Sequence, residues 1–165
     1  MDQFRRFAPI AFSVLAALIL QAIFVFADCK DTPDRAVVEF SKDYFMLNPT
    51  MAERLCADRK KIGDTDTVNH YLHIVSQKAQ ARGFRLEFMK NRLYNIKTKT
   101  LRMDDTSAEV QLRGRKRFAM NPLYATVAQI FGFSKSQEVD QTLSLVKEEG
   151  SWKVCDGLFD LPLEI

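Results

Sequence analysis

Residues 107–118 read Ser-Ala-Glu-Val-Gln-Leu-Arg-Gly-Arg-Lys-Arg-Phe, and this stretch decides the fold class. Ala108, Val110 and Leu112 alternate with Glu109, Gln111 and Arg113. Successive side chains of a strand point to opposite faces, so this pattern describes a sheet with one buried and one wet face. Working outward, Leu93 to Met103, Val139 to Glu148 and Ser151 to Phe159 also read as strands, parted by Asp104-Asp105 and by Glu149-Gly150. Phe84 to Phe88 is a further candidate start of the sheet.

Before Gly83 the period changes. Thr32-Pro33-Asp34 opens a helix: Thr32 caps, Pro33 suits the first helical position, and Asp34 favours the positive end of the dipole. Val37, Phe40, Tyr44 and Phe45 then recur at helical spacing. Asn48-Pro49 starts a short second helix carrying Met51 and Leu55, and the polar run 57–64 reads as a loop. A third helix begins near Asp64 to Asp66 and runs to Arg82, with Val68, Tyr71, Leu72, Val75 and Ala79 as its buried stripe and Gly83 as its stop. Helices first and an antiparallel sheet afterwards predict an α+β domain of about three helices on a curved sheet.

The first 27 of the 165 residues are of a different kind. Phe7 to Ala27 contains no charged side chain, and about 21 helical residues span roughly 30 Å, the thickness of a hydrocarbon core. Arg5 and Arg6 precede the run and Asp28 follows it, which predicts an N-terminus in the cytoplasm and a domain in the periplasm. The expectation is a single-pass inner-membrane anchor over 1–27, a linker over 28–34 and one domain over 35–165. The alternative is export with cleavage after Ala27, where Val25-Phe26-Ala27 fits a signal-peptidase site.

Formal net charge is +3, and about +2 once Arg5, Arg6 and Asp2 are set aside, with 22 basic against 20 acidic residues left. That is too small a surplus to imply nucleic acid. Three cysteines occur, Cys29, Cys56 and Cys155. On an oxidising side of a membrane, Cys56 and Cys155 either form a bridge or remain buried thiols. No Cys/His zinc spacing, nucleophile elbow, Walker loop or dinucleotide fingerprint is present, so no metal, cofactor or catalytic set is implied.

The order of these elements, with the closing Glu148-Glu149-Gly150-Ser151-Trp152-Lys153-Val154, resembles the nuclear transport factor 2-like fold. In that fold a curved sheet wraps around a long helix to form a cone. The resemblance covers residues 33–160. It implies a domain whose function lives in its site, because this fold hosts enzymes, ligand binders and scaffolds alike. Membrane-anchored members are similar in layout to assembly components of bacterial envelope machines.

Three groups of residues are candidates for the work. Phe40, Tyr44, His70, Tyr71 and Trp152 would line a pocket for a small apolar ligand. His70 and His73 share one side of the third helix, yet no third metal ligand accompanies them, and they read as boundary histidines. Arg113, Arg115 and Arg117 share one strand face, with Lys116 opposite and Lys97, Lys99 and Arg102 on the neighbouring strand. They offer a basic patch for anionic head groups or an acidic partner. Residues 118–134 carry no charge and include Leu123, Tyr124, Val127, Ile130, Phe131 and Phe133. A plain hairpin connection is short and polar, so this insertion is either core or an apolar surface for a partner, a second copy or the bilayer. The function expected is that of a membrane-tethered, non-enzymatic domain acting through protein contact or self-association. The alternative is binding or turnover of a small apolar ligand.

Overall fold

The computed structural model describes residues 12–21, 23, 30–119, 136–157, 159 and 161, with the side chain of Ile62 excepted. Two compact units divide at Asp31 and Thr32. In the first, residues 12–21 and 23 are helical and exposed. Among the described residues no helix is long and apolar enough to cross a membrane. Of the anchor expected over 1–27, residues 1–11, 22 and 24–27 lie outside the described set, as do Cys29 and the whole of 120–135, with Leu123, Tyr124, Val127, Ile130, Phe131 and Phe133.

The second unit is α+β. It comprises α1 (Pro33–Phe45), a 3-10 segment Pro49–Arg54, α2 (Ala57–Lys60), β1 (Lys61–Ile62), β2 (Thr65–Asp66), α3 (Thr67–Ala81), a 3-10 turn Leu86–Met89, β3 (Asn91–Met103), β4 (Ser107–Phe118), β5 (Gln137–Glu148) and β6 (Ser151–Asp156). The last four form an antiparallel meander in the order β3-β4-β5-β6, and β1 and β2 form a separate small hairpin.

Local chemistry sets the boundaries. Thr32 accepts from the Arg35 N–H at 3.3 Å, and Asp66 accepts from the Asn69 N–H at 2.8 Å, so each long helix starts on a capped donor. At the end of α3 the Gly83 N–H donates to Gln80 O at 2.9 Å and the Phe84 N–H to Ala79 O at 2.9 Å. That crossed pair is a Schellman closure, and it needs the left-handed backbone that Gly83 supplies at φ 73°. Between β5 and β6, Glu149 and Gly150 both have positive φ, 49° and 80°, as a two-residue hairpin turn of the twist-matched type requires.

The core lies where α1 crosses one face of the sheet. Ala36, Val37, Phe40, Tyr44 and Phe45 of α1 meet Leu93, Ala108, Val110, Leu112, Leu143, Leu145, Trp152 and Val154. Each large side chain so buried contributes on the order of 2 kcal/mol. The alternation in β4 is the expected one, with Ala108, Val110 and Leu112 all buried.

Three sequence expectations need correction. The loop over 57–64 is ordered into α2 and β1, with β2 following it, because backbone bonds tie its start to β6, including Cys56 N–H to Val154 O at 3.0 Å. Phe84 to Phe88 is not a strand: the ladder with β4 begins only at Asn91, opposite Phe118, and the Phe88 N–H turns back to Arg85 O at 3.0 Å. In α3 only Val68 and Ala79 of the apolar stripe are buried, while Tyr71, Leu72 and Val75 are half-exposed. The cause is its packing mainly on the two 3-10 segments, which cover less of a helix than a sheet does.

Candidate functional site

The residues expected to line a ligand pocket lie on α1, α3 and β6. Phe40, Tyr44 and Trp152 are buried members of the core. Tyr44 stacks on Tyr71 at 5.3 Å between ring centroids and on Phe159 at 4.8 Å, while Phe45 meets Tyr44 edge-on at 5.2 Å. Such contacts leave the rings close-packed and in attractive geometry. Trp152 carries the Lys147 ammonium 5.7 Å from its ring centre. His70 is half-buried on α3, and exposed His73 shares a hydrogen bond with Gln77 at 3.0 Å. Buried Ser41 and Thr67 each have a hydroxyl with no hydrogen-bond partner among the described residues.

Where β6 meets the segment after α1, several interactions converge. Cys56 and Cys155 are bonded through their sulfurs, with Cα atoms 5.3 Å apart, within the ordinary span of a disulfide. Arg59 donates to Cys155 O at 3.2 Å and to the Asp156 carboxylate at 2.9 Å. Arg54 bridges the Glu39 carboxylate, 2.6 Å from Nη2, and the Trp152 carbonyl at 3.4 Å. Partial burial pushes the Glu39 carboxyl up, but hydrogen bonds from Arg35 and Arg54 and their charges outweigh it, so its pKa falls below the ordinary 4.5. The Glu148 carboxylate lies in the same cluster and accepts from the Ala57 N–H at 3.1 and 3.2 Å. The two sulfurs and a Glu148 oxygen lie within 4.8 Å of one another, a set that could hold a metal only with both thiols reduced. Bonded to each other, the sulfurs offer no thiolate.

The face of the sheet away from α1 carries mostly polar side chains. Arg113 and Arg115 stand on it, paired with Asp140 at 2.9 Å and Glu138 at 3.4 Å on β5. Arg117 lies 5.3 Å from the centre of the Tyr94 ring. The β4 arginines are thus satisfied by their neighbours, which sequence could not reveal because cross-strand register is tertiary. Lys116 points to the other face, 5.3 Å from the Phe45 ring centre. Partly open clefts of about 660 Å³ along Asn95, Lys97, Arg113 and Asp140, and of about 190 Å³ along Glu39, Asp43, Thr50 and Arg54, lie at the surface.

Apolar surface is concentrated elsewhere. Phe84 and Phe88 are 54% and 62% exposed, with ring centroids 6.4 Å apart. Phe118, 56% exposed, ends β4 opposite Asn91, and the next residue, Ala119, donates its N–H to Lys90 O at 2.9 Å. All three phenylalanines therefore gather where the chain enters β3 and leaves β4. The Phe84 and Phe88 pair carried a sequence signal, an aromatic pair beside Arg82, Arg85 and Lys90, but its alternation suggested a strand.

No protein-family model and no curated protein matches this chain. Among solved structures, the chain is similar to an NTF-2 like protein of unknown function from Shewanella oneidensis MR-1, at 12% identity and a TM-score of 0.42, covering 76% of this chain and 100% of that one.

Proposed function

We propose that this is a membrane-tethered, extracytoplasmic, non-catalytic domain of nuclear transport factor 2-like type that works by docking a protein partner or a second copy of itself. One observation supports the reading: Phe84, Phe88 and Phe118 stand exposed at one end of the sheet, while Phe40, Tyr44 and Trp152 are buried. Clustered apolar surface rimmed by charge marks contact sites on soluble domains. Phe118 is also the first residue of the uncharged stretch 118–134. The apolar run from Phe7 to Ala27 supplies the tether.

The test is native mass spectrometry of the full-length protein, gently extracted from its own membrane, beside a Phe84→Ser/Phe88→Ser variant. The wild-type chain should carry a second protein or a second copy. The variant should melt within a few degrees of wild type, since both rings are already more than half exposed, and should lose the extra mass. A lone wild-type chain carrying a small molecule would move the assignment to ligand binding.

A further inference from the structure

We propose that Cys56, Cys155 and Glu148 form a redox-gated site for Zn2+, closed while the two sulfurs are bonded and open once they are reduced. The two sulfurs and a Glu148 oxygen lie within 4.8 Å of one another. Two thiolates and a carboxylate favour Zn2+ over the hard cations Mg2+ and Ca2+, and three protein ligands leave a fourth tetrahedral position to water. Ligands about 2.1–2.3 Å from one tetrahedral ion stand about 3.5–3.8 Å apart, so the cluster is already near the size of a filled site. Rotation of the two cysteine side chains, on Cα atoms 5.3 Å apart, supplies the remaining adjustment. Cys155 and Glu148 are half-buried, which gives a reductant and an ion a way in, while Cys56 is buried.

Bonds other than the bridge hold the three positions together. Cys56 donates its N–H to Val154 O at 3.0 Å, and Leu55 bridges Val154 in parallel. Arg59 donates to Cys155 O at 3.2 Å and pairs with Asp156 at 2.9 Å. Glu148 is fixed opposite Ser151 in the β5–β6 ladder, and its carboxylate accepts from the Ala57 N–H at 3.1 and 3.2 Å. None of these contacts needs the sulfur–sulfur bond, so reduction leaves the ligands gathered. A carboxylate has about four lone-pair positions, so Glu148 can bind an ion while keeping Ala57. Opening the bridge takes two electrons and two protons from a dithiol, which ends as a disulfide. Zn2+ then displaces both thiol protons to solvent and binds the thiolates. The chain thus exchanges one cross-link between Cys56 and Cys155 for another.

The experiment titrates Zn2+, against a chromophoric chelator, into the full chain in detergent, either oxidised or reduced with dithiothreitol that is then removed under argon. The reduced chain should take up one Zn2+, and the oxidised chain and Cys56→Ser/Cys155→Ser should take up none. Glu148→Gln should bind at least about tenfold more weakly, since losing even a partner that only orients a ligand costs about 10–100-fold. Cys29→Ser should bind as wild type does. Near-ultraviolet circular dichroism of Trp152, the sole tryptophan, follows the fold throughout. Where reduction alone unfolds the chain, Zn2+ should restore the native signal. Equal affinity of the reduced wild type and the double-serine chain overturns the proposal, and so does equal affinity of wild type and Glu148→Gln. Loss of binding in Cys29→Ser overturns it too, as does a reduced chain that takes up Zn2+ and stays unfolded.

Discussion

Removing the Cys56–Cys155 bridge tests how this domain is held together. The two cysteines are 99 residues apart in sequence, so the closed loop takes in most of the domain. In the chain-entropy account, a cross-link of about 100 residues stabilises by about 4.7 kcal/mol, and native bridges deliver about 2–5. We take about 3–5 kcal/mol, a large share of the roughly 5–15 kcal/mol that domains possess. The 134 residues of Thr32–Ile165 have an unfolding entropy of about 0.28 kcal/mol per kelvin at about 2.1 cal/mol/K per residue, so Tm should fall by about 10–18 °C. The native junction should persist without the bridge, because Cys56 N–H to Val154 O at 3.0 Å and Arg59 to Asp156 at 2.9 Å remain. The assay is calorimetry and urea unfolding of oxidised protein, reduced protein and Cys56→Ala/Cys155→Ala, with alkylation of native protein to count thiols. The urea slope should rise in the unbridged forms as the denatured chain expands. Oxidised and reduced forms melting within about 3 °C of each other would refute the entropic argument. Ready alkylation of Cys56 in the unreduced native protein would refute the bridge itself.

Two further outcomes follow from single positions. Gly157→Ala should destabilise by more than about 2 kcal/mol: φ is 74° there and an added Cβ would run into the Thr142 carbonyl, so thermal melts should show a loss larger than at Gly63 or Gly83, whose Cβ positions are open. Glu39 has a folded pKa below its ordinary 4.5, so its stabilising contribution is present above pH 4.5 and is lost as pH falls through the lower folded value. Urea midpoints measured from pH 6 to pH 3 should drop less steeply for Glu39→Gln than for wild type, and parallel curves would contradict the Arg54 pairing.

Sequence by itself was enough for the α+β class, the four-strand succession and both long helices. Those features are written in local terms: alternation in Ala108-Glu109-Val110-Gln111-Leu112, caps at Thr32 and Asp66, and stops at Gly83 and Glu149-Gly150. Each depends on residues within a turn or two of one another, so a linear reading captures it. What only the tertiary structure decided was which side chains are spent and which are spare. Phe40, Tyr44 and Trp152 are only apolar residues at helical or strand spacing in sequence, and the fold alone shows Phe159 and Tyr71 stacked on Tyr44. Arg113 and Arg115 look like the exposed basic patch until register sets Asp140 and Glu138 across from them. Phe84 and Phe88 look like a strand until the ladder is seen to start at Asn91. In every case the deciding partner lies tens of residues away, and contacts at that separation are fixed by packing and strand register, which no local pattern encodes.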